Sequence, residues 1–534
     1  MRGAALAALL VYVLVGCQPV ATVPKPARGG TAVEALVGAA GVLNPLFESV
    51  DSTRDVDSLI YQGLTTVDGQ QNVVGRLASD WSISPDHLTY TFNVRKGIKW
   101  ADGQPFTADD VLFTFHVMQD LEYTQPGADF WRQVGVGPGG QGQVVFTLRA
   151  PSASFPLALR VGIIPKHIYA GMAPAQIAAS PFSGVQAFGT GPFKVGALSP
   201  LAITLDRNPY ADPQPYLDHL VLRTYPANDP QSAIRAVGQG VADLVGGLEP
   251  QEVDALQAIA SNVSVVNARM FTSSFVSFNP NGDGQQFFSD VQVRLALAEA
   301  VDRQRIVTEV LAGRADPNPN PIPVGDWAYS AAAEALHPYD QLKAAQALDK
   351  AGWVSVPGSK LRTKNGVAFK VQLVAPNSYP SQQIADALAR QLLDIGVEID
   401  VKPVLPSQLV QNYLIGRNYQ MALVSFDVGS DPDEYSLWHS GADPGSLNFA
   451  YSRGWGLIDL DLETGRATVD PQARLAAYID FQVLMADAAP AIFLYSARYE
   501  YAVSQRVHGV RINKVVEPAD RFQYVTEWYV NTSG

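Results

Sequence analysis

Cysteine is almost absent: Cys17 is the only one in 534 residues, so no intrachain disulfide can form. Long hydrophobic runs are missing too. Beyond the N-terminal residues no stretch approaches the roughly 20 apolar residues that a transmembrane helix needs. Positive charge is short, with 38 Lys and Arg against 51 Asp and Glu and a formal net charge of −13. That balance excludes the basic surfaces on which nucleic-acid binding rests and otherwise speaks to solubility. Histidine is sparse. His87, His116, His167, His219, His337, His439 and His508 stand apart, with no HExxH and no Cys/His pair at metal-ligand spacing. No G-x-S-x-G elbow occurs. No enzyme, metal or cofactor is expected, since no residue pattern supports one.

What is present begins with an address. Arg2 precedes a short apolar run, Ala4 to Val15, too short to span a bilayer and suited to a secretory signal over residues 1–16. Leu14-Val15-Gly16-Cys17 follows and resembles the bacterial lipobox, in which the Cys is lipidated and becomes the first mature residue. An unpaired Cys in an exported chain needs an explanation, and lipidation at Cys17 supplies one. Two acyl chains give stable anchoring. Residues 17–29, rich in Pro, Ala and Val, read as the lipidated tether. Loss of Arg2 takes the mature charge to −14.

The remaining chain is long for one core, because single cores stop growing at about 250–300 residues; at least two lobes are expected. An apolar content of 47% indicates a folded chain. Strand-like runs at Leu88–Val94, Val144–Leu148, Ile203–Leu205 and Leu220–Tyr225 alternate with helical stretches, the pattern of mixed α/β lobes. Helices are expected at Ala108–Gln119, Pro230–Gln239, Val291–Leu311, Gln341–Ala351, Ser381–Ile395 and Gln472–Ala488. Gly135 to Gly140 matches G-x-G-x-x-G, but a strand-like run follows it instead of a helix, so a hairpin loop is expected. Asp459, Asp461 and Glu463 imitate a calcium loop that lacks its glycine, and read as a solvated helix face.

Several blocks together resemble the family 5 extracellular solute-binding proteins, the dipeptide-, oligopeptide- and nickel-binding class of ABC importers. The longest is Leu77–Thr114, with a Trp, a Ser-x-Asp turn, a strand, Arg95-Lys96-Gly97, Asp102-Gly103-Gln104-Pro105 and Ala108-Asp109-Asp110-Val111. Gly189-Thr190-Gly191-Pro192-Phe193-Lys194, Arg207-Asn208-Pro209-Tyr210, Phe278-Asn279-Pro280, Ala300-Val301-Asp302-Arg303 and Asp431-Pro432-Asp433 follow in family order. Most of these residues are structural on physical grounds. Gly189 and Gly191 are expected to relieve strain in a bend, and Asp302-Arg303 to bond locally on a helix.

The resemblance implies an α/β, two-lobed periplasmic-binding-protein-like fold (type II) with an extra inserted domain. Lobe I would comprise 30–57, 181–272 and 491–534, the inserted domain II 58–180, and lobe III 273–490. Crossings near Phe271–Phe275 and Ala491–Tyr495 would be the hinges. The implied function is capture of a peptide-like or other small solute, in partnership with an ABC permease and ATPase. The protein would be a monomer outside the cytoplasm, held to the membrane by lipid. The same fold could also serve a surface lipoprotein with an enzymatic, adhesive or signalling role; adjacent permease and ATPase genes would separate the two.

Carried over region by region, the ligand-contact candidates are Phe47, Met270, Phe271, Thr272, Phe275, Phe426, Asp427, Trp438 and Asn448. They are mostly apolar and aromatic, as small-molecule sites are. Peptide-binding members hold the ligand's α-amino group with an Asp three residues before an acid-Pro pair, after a Trp. Here Ser425 stands at the Trp position and Val428 at the Asp position, with Asp427 one residue off. A one-residue shift in a strand reverses the face. The resemblance thus implies weak binding of unmodified short peptides unless Asp427 turns inward.

Overall fold

A computed structural model describes residues 25–441, 447–450 and 455–533. Cys17 and the signal segment lie outside them. No helix among the described residues is long and apolar enough to cross a membrane.

One long strand organises the molecule. Ala491–Ser504 pairs antiparallel with Thr272–Phe278 over its first half, Ser274 opposite Tyr495. Over its second half it pairs with Val263–Met270, Arg269 opposite Arg498. The two partner strands are consecutive in sequence and meet at Phe271, so a single ribbon joins two half-sheets. On one side lie Met421–Asp427, Lys370–Pro376 and Glu398–Val404; on the other Leu244–Gly246, Thr31–Val37, His219–Tyr225, Ala202–Arg207 and Phe193–Ser199. This joined sheet realises the expected mixed α/β architecture.

Apolar faces on both sides of each half-sheet are covered by helices. Residues 58–180 contribute a four-stranded antiparallel sheet, Ala78–Ile83, Thr89–Val94, Gln143–Thr147 and Gly135–Pro138. Its Tyr90, Phe92 and Phe146 share one core with Leu36, Leu220 and Trp528 of the larger sheet's side. The G-x-G-x-x-G stretch supplies the outer strand and the turn of this hairpin. The helix Ala108–Gln119 starts where Asp110 accepts the Thr107 backbone N–H at 2.9 Å, a charge placed against the positive helix end.

Three readings change. The single helix expected at Val291–Leu311 is two, Val291–Glu299 and Arg303–Glu309. Asp302 breaks it by capping the second helix through the Arg305 N–H at 2.9 Å, while Arg303 leaves the helix surface and donates to the Phe493 carbonyl at 2.6 Å. Gly189 and Gly191 do not adopt left-handed conformations. They are needed for close approach: a Cβ on either would meet the Ile60 carbonyl oxygen at 2.1 or 2.6 Å, and Gly191 N–H donates to that oxygen at 2.8 Å. Asp459 and Glu463 are not merely solvated. Asp459 accepts from the Ser440 N–H at 2.8 Å, and Glu463 meets His439 at 3.1 Å.

A buried ion network fixes the helix Asp51–Ile60 against lobe I. Arg521 donates to both Asp55 oxygens at 2.7 and 2.8 Å and to Glu34 at 3.1 Å, and Tyr501 donates to Glu34 at 2.6 Å. The network links four elements, while Arg54 of the same helix pairs instead with Asp51, Glu48 and Glu517.

Candidate functional site

The ribbon at Phe271 is the junction of the two half-sheets. Phe271 N–H donates to Val515 O at 3.2 Å, and the Val428 N–H donates to Phe271 O at 2.7 Å. One residue is thereby bonded to both sides. Thr272 beside it accepts the Ala497 N–H through Oγ1 at 2.9 Å, and Met270 packs on the lobe I core. Lys514 lies over the Phe271 ring at 5.6 Å. These candidates of the crossing are assembled, but as parts of the ribbon.

Asp427 ends the strand Met421–Asp427 with its side chain exposed. Its electrostatic neighbours are Asp51, Glu517 and Arg54, brought near it from distant segments of the chain. Alternation along the strand explains why. Phe426 turns to the other face and stacks on Phe275 with centroids 6.1 Å apart, which leaves Ser425 and Asp427 together on the opposite side. Partial burial pushes the Asp427 carboxyl above its ordinary value; repulsion from Asp51 and Glu517 adds to this and Arg54 opposes it.

The facing wall is one guanidinium among three carboxylates. Arg54 lies 2.8 Å from Asp51, 3.4 Å from Glu48 and 3.5 Å from Glu517. Burial pushes Glu48 up to about 7 against the pull of Arg54. With Asp427 near it, this group sets four carboxylates against the Arg54 guanidinium, with the Lys514 ammonium over Phe271 as a second cation of the region. Such an arrangement can accept a cationic group that brings its own charge.

The other candidates occupy different places. Phe275 and Trp438 are 1% and 0% exposed and form a ring cluster with Phe426, Phe449 and Phe493. This cluster backs the strand that carries Asp427. Phe47 is half-buried, edge-on to Tyr123 at 5.8 Å on lobe I. Asn448 organises a lobe III loop: it donates to the Ser436 and His439 carbonyls and accepts from Arg417 at 3.0 Å. It is not brought to Asp427.

The acid-Pro pair is also structural. Asp431 takes two bonds from Arg474 at 2.6 and 2.8 Å, and Asp433 takes Arg466 at 2.8 Å. Residues the sequence reading missed are Glu48, Asp51, Arg54 and Glu517. Three lie in one short run after Asn44-Pro45, where alternating charge looks like an ordinary solvated helix; Glu517 comes from the far end of the chain, with no local signal. No group of three or more metal-ligating side chains occurs among the described residues.

Behind the aromatic cluster, Glu434 accepts from the Trp438 indole at 2.9 Å, while its Oε1 has no partner among the described residues. Burial pushes its carboxyl up to about 8, the Trp438 bond opposing. A raised carboxyl means that the folded state keeps a proton which the unfolded chain has released. Its stabilisation is complete below the unfolded value of 4.5 and is lost as pH rises through about 8. Unfolding in urea should therefore show a loss on the order of 2 kcal/mol between pH 6.5 and 8 from this group. Glu434→Gln should flatten that slope; an unchanged slope would contradict the assignment.

The profile of the bacterial extracellular solute-binding proteins, family 5 middle, matches residues 72–448. Oligopeptide-binding protein AppA of Bacillus subtilis is 26% identical over 515 residues, 95% of this chain and 92% of its own length. A Brucella ovis protein described as a peptide-binding protein of an ABC transporter is 30% identical over 71% of this chain and 68% of its own. Among solved structures, the ABC transporter substrate-binding protein CtaP of Listeria monocytogenes superposes with a TM-score of 0.79 at 25% identity, covering 94% of this chain and 99% of its own.

Proposed function

Because the chain belongs to family 5 of the bacterial extracellular solute-binding proteins, we propose that it is the receptor of an ABC-type importer, capturing a peptide-like or other small solute between its lobes and handing it to the permease and ATPase. The electrostatic coupling of Asp427, at the end of its strand, with Asp51 and Arg54 of the helix Asp51–Ile60 and with Glu517 supports this reading. A solute bonded to both walls favours the closed arrangement over the open one by its differential contacts. The ribbon around Phe271 and the middle of Ala491–Ser504 would absorb the bending. Small-angle scattering tests it: a saturating solute should reduce the radius of gyration, and no change at saturation would count against closure.

The family is one of binding proteins, and capture here is reversible and non-covalent, without turnover. The solute's cationic end is assigned to Asp427 and its remainder to the half-buried Phe47 and Met270, while Phe426, expected from the sequence to touch the solute, turns into the aromatic cluster behind the strand. Phe271, Thr272, Phe275 and Trp438 shape and back the site, and Asn448 supports its loop. The domain map given above is retained as part of this proposal. The receptor acts as a monomer outside the cytoplasm, with Cys17 as the lipid-bearing residue; the tether is shorter than the sequence suggests, because Lys25–Ala27 form a strand paired with Asn531–Ser533 and Gly29 N–H donates to the Tyr216 carbonyl at 2.8 Å. Cys17→Ser should accordingly move the protein from the membrane fraction to the soluble fraction of the envelope. Retention of the variant with membranes would overturn the anchor.

A further inference from the structure

Beside the helix Asp51–Ile60 lies a cavity of about 630 Å³, walled by that helix, by residues 61–67 and 157–162, and by the C-terminal segment 517–527. Its size is within the range of about 300–1,000 Å³ typical of small-ligand pockets. Arg54 and Glu517 belong to its lining, so it communicates with the wall that faces Asp427. Asp57 also lines it. This residue is 1% exposed, and neither carboxylate oxygen has a hydrogen-bond partner among the described residues. The Asn44 backbone N–H lies near enough to favour its charged form slightly without making a regular bond.

The contrast with Asp55, two residues earlier on the same helix, is informative. Asp55 is also buried but receives two bonds from Arg521. A buried carboxylate without a partner is costly, and Asp57 has Glu48 as an unfavourable neighbour. The cations of the wall are already engaged. Arg54 is shared among three carboxylates, Arg160 is bonded to Asp520 at 2.8 Å, and Arg76 meets the Gln62 amide oxygen once that amide is turned. Tyr61, Val161, Leu157 and Phe522 supply apolar patches in a lining that is otherwise largely polar. A cation on a short alkyl stem satisfies both features. A metal ion does not, since no three-ligand cluster is present among the described residues.

We infer that this cavity is a pocket for a primary ammonium or guanidinium group carried on an alkyl stem, with Asp57 as its counter-charge and Glu48 assisting. The inference rests on the receptor reading, because it assigns that group to the captured solute. It predicts solutes with a basic side arm in addition to the end held at Asp427.

Titration calorimetry with n-butylamine and agmatine against n-butanol provides the test. Both amines should bind at least tenfold more tightly than the alcohol. The preference should vanish in Asp57→Asn and persist in Asp427→Asn. Asp57→Asn should melt no lower than the unsubstituted protein, because burial already pushes the Asp57 carboxyl well above its ordinary value and the amide replaces a group that has no hydrogen-bond partner among the described residues. Equal affinity for n-butanol, or a preference that survives Asp57→Asn, would overturn the pocket. If the amines fail while a native solute still closes the lobes, the pocket falls and the receptor reading stands. If the amines bind as expected but no solute closes the lobes, the pocket stands and the receptor reading falls.

Discussion

Arg521→Met should lower the stability of the protein by about 3–5 kcal/mol, the cost of stranding buried carboxylates when their partner is removed. Arg521 is 3% exposed, and Glu34 and Asp55 beside it are 0% and 6% exposed. Methionine fills much of the volume but leaves both acids facing each other without a cation. The excess must be relieved by protonation or by displacement of the helix Asp51–Ile60. Since that helix carries Asp51 and Arg54, solute affinity should fall with stability. Adding Glu34→Gln and Asp55→Asn to Arg521→Met should restore part of the loss, since the stranded charges are then gone. Urea unfolding of the three proteins measures this, and a loss below about 1 kcal/mol for Arg521→Met would contradict the role given to the network.

The second large effect is on binding. Asp427→Asn should weaken a solute bearing a free ammonium by about tenfold to a hundredfold. A charge-assisted bond contributes roughly 1.5–3 kcal/mol, and each 1.4 kcal/mol is a factor of ten. A tripeptide and its N-acetylated form make the comparison specific. The unsubstituted protein should prefer the free amine, and Asp427→Asn should bind both forms alike. Equal affinity of the two forms for the unsubstituted protein would remove Asp427 from the site. The expectation of weak peptide binding from Val428 is thus conditional on Asp427, and the strand's alternation turns Asp427 toward lobe I.

Much of the fold was legible because it is written in local patterns. The helix Ala108–Gln119 carries its own acidic start, and the strand Thr89–Val94 alternates cleanly, with Tyr90 and Phe92 buried. Where local pattern and tertiary context competed, context prevailed. Asp302 could be read as a helical surface residue or as a cap, and only the bond of its N–H to Gln391, with neighbouring Arg303 held by the Phe493 carbonyl, decides. The glycines at 189 and 191 announce a tight place but not its cause, the Ile60 carbonyl being 129 and 131 residues away along the chain.

The site was legible in outline only. Aromatic residues marked the right region, yet Phe275 and Trp438 serve as the core behind it. Charge on the opposite wall had no motif: Arg54 is surrounded by acids from residues 48, 51 and 517, a grouping that exists only after folding. The unpartnered state of Asp57 is likewise a property of burial, which a sequence of alternating Asp and Val does not disclose.

Native mass spectrometry tests the central claim most directly, that a small solute is held between Asp427 and the Arg54 wall. The unsubstituted protein and an Arg54→Gln/Asp427→Asn variant would be exposed to the same envelope extract and desalted gently. The account predicts a one-to-one small-molecule adduct on the unsubstituted protein, released on denaturation, and none on the variant. An adduct of equal occupancy on both proteins, or none on the unsubstituted protein, would contradict it.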